Sequence, residues 1–261
     1  MILNNFDIDI KDILFSGACF RVIEENDGSI TNILSDRIVN IKQDGDNIVV
    51  KSSNNSDLEG ILREYFDLNR DYGIINQELI KKCPNLTKIV NNCKRYRILN
   101  QNSFEMCISY IISQNNNVKR ISKSIEELSK RYGTKVLFNN KEYYLFPTYE
   151  QLMNLNVEDF RSLGVGFRDK YLVDFLSKYE SLKDLNTLCT TDALKELMSV
   201  KGIGLKVASC ILLFGYKRLD VFPIDTWVRH YISKYAEENF GKYSCLVIQY
   251  MYHYERNIKG E

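Results

Sequence analysis

Apolar residues are grouped differently along the two parts of this chain. Up to about position 55 they fall in short runs: Phe20-Arg21-Val22-Ile23, Thr31-Asn32-Ile33-Leu34, Arg37 to Ile41, and Asn47 to Lys51. Asn26-Asp27-Gly28 and Asp44-Gly45-Asp46 separate them, and both are strong turn signals, so the spacing predicts an antiparallel meander. From 56 to 95 the pattern turns helical, with Leu58, Ile61, Leu62, Tyr65 and Phe66, then Ile74, Leu79 and Ile80. Ser103 to Tyr132 reads as two helices around a polar junction, with Phe104, Cys107, Ile108 and Ile111 on one face and Ile121, Ile125 and Leu128 on the other. Residues 134–147 read as a packed connection carrying Tyr143, Tyr144, Phe146 and Pro147. The last helix is expected from Phe240 to Arg256.

A helical run from Asp192 to Val200 is broken by Gly202 and Gly204, and a second apolar run follows from Leu205 to Phe214. Two helices joined by so tight a glycine turn form a helix-hairpin-helix, here spanning 192–216. The glycines admit close approach of a ligand, and the second helix starts with unsatisfied N–H groups and the positive end of its dipole, which suits a phosphate. The chain is therefore expected to be α+β, with an antiparallel sheet domain and linking helices over 1–97 and a helical domain over 98–261.

Composition narrows the class without naming it. The 261 residues are 44% hydrophobic and 26% charged, ordinary for a globular protein. No apolar run approaches membrane-spanning length, and MILNNFDIDI lacks the basic start of a signal peptide, so a cytoplasmic protein away from membranes is expected. Seven scattered cysteines at 19, 83, 93, 107, 189, 210 and 245 form no C-x-x-C pair and read as reduced thiols. The formal net charge is only +1, so any binding of nucleic acid rests on local charge and hairpin amides.

Three residues near the hairpin carry candidate chemistry. Lys206 lies in the first turn of the second helix, where a cation is locally disfavoured. Cys210 is four residues on and shares its face, whereas Val207 and Ile211 lie on another. Pro223-Ile224-Asp225-Thr226 puts Asp225 at the N-cap of a run with Trp227, Val228, Tyr231 and Ile232. Singly, these read as a solvated lysine, a small core residue and a helix cap. Together, with the hairpin between, they favour function.

This stretch resembles the helix-hairpin-helix superfamily of DNA base-excision glycosylases, in its bifunctional glycosylase/lyase branch. Lys-Val-Ala-Ser-Cys and the spacing from Lys206 to Asp225 are similar to those of the 8-oxoguanine DNA glycosylases. The likeness covers most of the chain and is strongest over 104–230. It implies a twisted antiparallel sheet followed by a mostly helical glycosylase core. The four-cysteine iron–sulfur loop that closes several glycosylases of the same superfamily is absent, since the C-terminal segment offers only Cys245, and this counts against the specificities of those relatives.

The resemblance also implies roles. Lys206 would be the nucleophile, and Asp225 would offset the positive charge that builds on the sugar ring as the glycosidic bond breaks. The lysine must attack as a neutral amine, which burial beside a helix N-terminus favours. Gly17, in Ser16-Gly17-Ala18-Cys19-Phe20-Arg21, would aim a carbonyl at N7, which carries hydrogen in 8-oxoguanine and not in guanine. Cys210, Phe214, Pro223, Ile248 and Tyr252 would complete the base pocket, with Tyr252 stacking opposite Cys210. Ile248 stands where relatives carry a glutamine that reads the Watson–Crick edge; Gln249 should point about 100° away on a helix. Asn115 would fill the hole left by the extruded base, Arg120 and Arg168 would contact the orphaned cytosine, and Phe167 would wedge into the stack. Gly202, Gly204, Val207 and Trp227 would meet the DNA backbone.

The reading is thus an 8-oxoguanine glycosylase and abasic-site lyase acting on double-stranded DNA as a monomer. No redox cofactor is required; an optional structural cation, monovalent or divalent, would sit on the carbonyls of Met198, Val200 and Ile203. Two alternatives stay open: another lesion specificity in the superfamily, which Ile248 favours, and a non-catalytic DNA-binding hairpin module, against which Lys206 and Asp225 together count.

Overall fold

The computed structural model describes residues 1–182, 184–223 and 240–258, with side chains to Arg256. Its amino-terminal part is a five-stranded antiparallel sheet in the order β1-β5-β4-β3-β2. The strands are β1 (Ile2–Leu3), β2 (Val22–Glu24), β3 (Ile30–Ile33), β4 (Ile38–Asp44) and β5 (Asn47–Ser52). β2 through β5 form the expected meander, paired from Val22↔Asn32 to Asp44↔Asn47. The added edge strand pairs Ile2 with Val49, and a short helix, α1 (Ile10–Leu14), precedes the meander. α1 forms because Asp9 caps it, its side chain accepting from Asp12 N, and because Ile10, Ile13 and Leu14 are buried.

Helices α2 (Leu58–Tyr65), α3 (Tyr72–Lys82) and α4 (Thr87–Asn92) lead into the helical part. There α5 (Ser103–Ser113) and α6 (Val118–Tyr132) begin at asparagine caps, Asn102 and Asn117. Nine of the eleven α5 residues are buried, so the helix runs through the centre of the molecule and packs on α11 (Leu205–Tyr216). Residues 134–147 correct the sequence reading: they hold a hairpin, β6 (Lys135–Phe138) and β7 (Lys141–Tyr144), not a plain connection. Its turn places Asn139 at φ 50° and Asn140 at φ 60°, the two left-handed residues that a tight hairpin turn demands. Then follow α7 (Tyr149–Leu152), α8 (Val157–Ser162), α9 (Asp169–Leu182), α10 (Thr190–Met198), α11 and α12 (Ser244–His253). One apolar core runs through both parts, from Leu3 to Tyr254. Among the described residues no helix is long and apolar enough to cross a membrane.

Glu105 is an acid inside this core. It sits in the first turn of α5, 8% exposed, and burial pushes its carboxyl up to about 7 although Arg21 opposes the shift. A carboxyl raised on folding stabilises the fold fully below its unfolded value near 4.5 and loses that contribution as pH rises through about 7. Glu105→Gln should therefore flatten the pH dependence of melting. Between pH 5 and 8 the variant should gain up to ~3 kcal/mol on the parent; parallel curves would show that Glu105 does not titrate in that window.

Candidate active site

The hairpin turn is built by glycine and held from below. Gly202 takes φ +83°, and its α-hydrogen side lies against the Tyr171 ring of α9. Asp174 of the same helix accepts from Lys201 N at 2.7 Å and pairs with Lys178 at 2.9 Å. Lys178 donates in turn to the Ser199 carbonyl at 2.7 Å. Gly204 is the extended N-cap of α11 and supplies no side-chain cap, so the first-turn amides, including that of Val207, keep their donors for an outside acceptor. The turn is fixed before any ligand arrives.

Beside it lies a cavity of about 190 Å³. Gly17, Lys206, Cys210, Phe214, Pro223, Ile248 and Tyr252 all line it, although they come from four distant segments. Gly17 adopts φ +92°, open only to glycine at low cost, in a loop whose Ala18 carbonyl accepts from Gln101 Nε2 at 3.0 Å. Phe214 stacks on Tyr110 with ring centroids 5.8 Å apart and planes 3° from parallel, which makes a flat apolar floor. Desolvation raises the Tyr110 hydroxyl well above its ordinary range, so it stays a neutral phenol. Cys210 is 6% exposed, and none of the seven cysteines is in a disulfide.

Three expectations are corrected. Lys206 is exposed at the cavity mouth rather than buried. Position 206 falls in the first turn of α11, where Cα–Cβ bonds tilt toward the helix N-terminus, past which no further turn of that helix covers the side chain. Gln249 lines the cavity together with Ile248 instead of pointing away, because the cavity is broad enough to take neighbouring residues of α12 on its wall. Arg168 is not aimed at an orphaned base. It is 6% exposed and donates to the carbonyls of Gln114, Asn115 and Val165, clamping two loops together. Sequence reading also missed Ser16, Ala18, Tyr110, Val118 and Arg256 as lining residues. Arg256, four residues beyond Tyr252, was within reach of helical spacing alone.

The clamp presents its neighbours outward. Asn115 holds φ +47° and is exposed, and among the described residues its side chain makes no hydrogen bond. Asn117 caps α6 instead, accepting from Arg120 N at 3.0 Å, and the Arg120 side chain is exposed. Phe167 is 54% exposed, under the Arg168 guanidinium at 4.5 Å and edge-on to Tyr171 at 5.9 Å. Asp225 and Trp227 lie outside the described residues. Among the described residues no group of three His, Cys, Asp or Glu side chains is placed to hold a metal ion.

Comparison with known proteins bears on this constellation. Residues 1–107 match the family model for the 8-oxoguanine DNA glycosylase N-terminal domain, and residues 108–239 match that of the HhH-GPD superfamily base excision DNA repair proteins. The structure superposes on MBOgg1 in complex with a low-affinity DNA ligand at a TM-score of 0.90, with 35% identity, covering 99% of this chain and 96% of that one. It superposes on the Clostridium acetobutylicum 8-oxoguanine glycosylase/lyase, in complex with DNA bearing cytosine opposite 8-oxoG, at a TM-score of 0.88, with 33% identity over 97% and 93% of the two chains. The N-glycosylase/DNA lyase of Saccharomyces cerevisiae is 27% identical over 268 residues, 91% of this chain and 70% of that one.

Proposed function

The chain belongs to the HhH-GPD superfamily of base excision DNA repair proteins, and on that premise we propose that it excises 8-oxoguanine from duplex DNA with Lys206 as nucleophile and then nicks the abasic strand. The observation that carries this reading is the convergence of Gly17, Lys206, Cys210 and Tyr252 on one cavity beside a glycine hairpin.

A base inside the stack is out of reach, so it must be extruded. The hairpin amides would hold the phosphate of the bent strand, and the exposed Phe167 and Asn115 would fill the space the base leaves. Backbone carbonyls of Met198, Val200 and Ile203 would hold a cation, which would add positive charge there; a set of hard oxygen donors fits such an ion, and Val200 O keeps a lone pair after accepting from Ile203 N at 3.1 Å. In the cavity the base would lie between the Cys210 sulfur and the Tyr252 ring, with Gly17 accepting from N7–H. Guanine has a lone pair at N7 and would meet the same carbonyl with repulsion.

Lys206 Nζ, as the neutral amine, then forms a bond to the sugar C1′ as the C1′–N9 bond breaks; the electron pair leaves with the base, which takes up the proton that the nitrogen sheds. Ring opening at O4′ yields a Schiff base. Loss of a C2′ proton expels the 3′ phosphate and cuts the strand, and water releases the sugar. The exposure of Lys206 at the mouth suits attack on a sugar that stays outside while its base is inside. Asp225 would offset the positive charge that builds on the sugar.

Two measurements test this. Borohydride trapping of the enzyme on a panel of lesion duplexes should favour 8-oxoguanine; a preference for another lesion would vindicate the rival specificity that Ile248, with no hydrogen bond for a Watson–Crick edge, supports, and no trapping at all would leave a DNA-binding module. Asp225→Asn should slow base release ~10²–10³-fold with lesion binding retained. Melting must be followed alongside, since loss of activity only in step with loss of fold would make Asp225 a helix cap.

A further inference from the structure

Arg256 stands in the lesion cavity, and no step above uses it. It lines the same wall as Ile248 and Tyr252. Its Nη1 donates to the Tyr252 hydroxyl at 2.7 Å, and its guanidinium lies 5.6 Å from the centroid of that ring. A Cβ built on Gly17 would be 3.8 Å from the same Nη1. One guanidinium therefore bonds the stacking residue and lies close to Gly17, the residue read as facing N7. The backbone departs from α-geometry just here, with a π-turn over Tyr254–Ile258.

The order along the wall is Ile248, Tyr252, Arg256, with Gly17 at the Arg256 end. A base stacked on Tyr252 with N7 toward Gly17 brings its imidazole edge to Arg256. Two exocyclic oxygens flank N7 in 8-oxoguanine, one on C6 and one on C8. Both accept hydrogen bonds only, and a guanidinium only donates. After bonding Tyr252, Arg256 keeps further N–H groups in a rigid planar fork. We propose that Arg256 is a base-binding residue that donates to an exocyclic oxygen beside N7 of the extruded base, with the Tyr252 hydroxyl holding its fork in place. When C1′–N9 breaks, the electron pair spreads onto those oxygens, so a fixed cation there binds the departing base more strongly than the resting one. The proposal rests on reading this cavity as the 8-oxoguanine pocket.

The test compares one substrate that carries the base with one that does not. Arg256→Met and Arg256→Lys are assayed for single-turnover excision of 8-oxoguanine opposite cytosine, and for nicking of a preformed abasic duplex. Arg256→Met should slow excision about 10- to 100-fold, a range typical of losing a charged hydrogen bond. Lysine should recover part of that loss, and nicking of the abasic duplex should stay within about twofold, since no base is present there. Unchanged excision overturns the proposal. So does an equal loss on both duplexes, which makes Arg256 a backbone contact or a structural residue. Failure of the parent enzyme to excise 8-oxoguanine would instead strike the reading of the cavity.

Discussion

Lys206→Gln is expected to abolish the covalent complex that borohydride traps on an 8-oxoguanine duplex, and to lower strand nicking by at least ~10³-fold. The glutamine amide is close to lysine in reach but has its nitrogen lone pair delocalised into a carbonyl, so it forms no imine. Lys206 is exposed and caps no helix, so the change should cost the fold less than about 0.5 kcal/mol. Loss of activity with unchanged melting therefore isolates the chemistry. Among the described residues Lys206 supplies the cavity's one primary amine; Arg256, the other cation on the wall, does not form imines. A glutamine variant that still traps would make another amine the nucleophile and undo the assignment.

Different parts of this architecture were legible in the sequence for different reasons. The hairpin was plain because Gly202 and Gly204 interrupt two apolar runs, and the meander because its turns carry Asp-Gly. β1 was not, since two residues have no period to detect. The β6–β7 hairpin hid behind an Asn-Asn turn, which lacks the glycine of a strong signal even though both asparagines adopt positive φ. The cavity residues were placed by likeness to a family more than by local pattern: a glycine before a strand and a cysteine in a helix say little until the fold joins Gly17 to Cys210. Arg168 shows where such transfer stops. Its position in the turn fits an orphan-base contact, but only the folded structure reveals that the carbonyls of Gln114, Asn115 and Val165 already take four of its five N–H donors.

The clamp and the hairpin meet at Tyr171, and this contact yields the second large effect. Gly202→Ala would set a methyl group into the Tyr171 ring, whose Cγ would be 2.6 Å away, at a residue held at φ +83°. Left-handed backbone costs alanine ~1–2 kcal/mol, and overpacking adds ~1–3 kcal/mol. The chain can escape only by moving the ring or the turn. Moving the ring disturbs Phe167, which packs edge-on to Tyr171 beside the Gln114–Asn115 junction. Moving the turn displaces the α11 amides and Lys206 with them. Gly202→Ala is therefore expected to melt several degrees lower and to bind both lesion and undamaged duplex more weakly, while a binding defect confined to lesion DNA would contradict a backbone role. The double variant Tyr171→Ala with Gly202→Ala separates the two costs. It removes the overlap and leaves the dihedral strain, so melting measured over the four combinations should show the pair less destabilised than the sum of the singles by about 1 kcal/mol or more. Additive losses would mean that the turn, not the ring, gives way, and that the hairpin is softer than its anchoring by Asp174 and Lys178 implies.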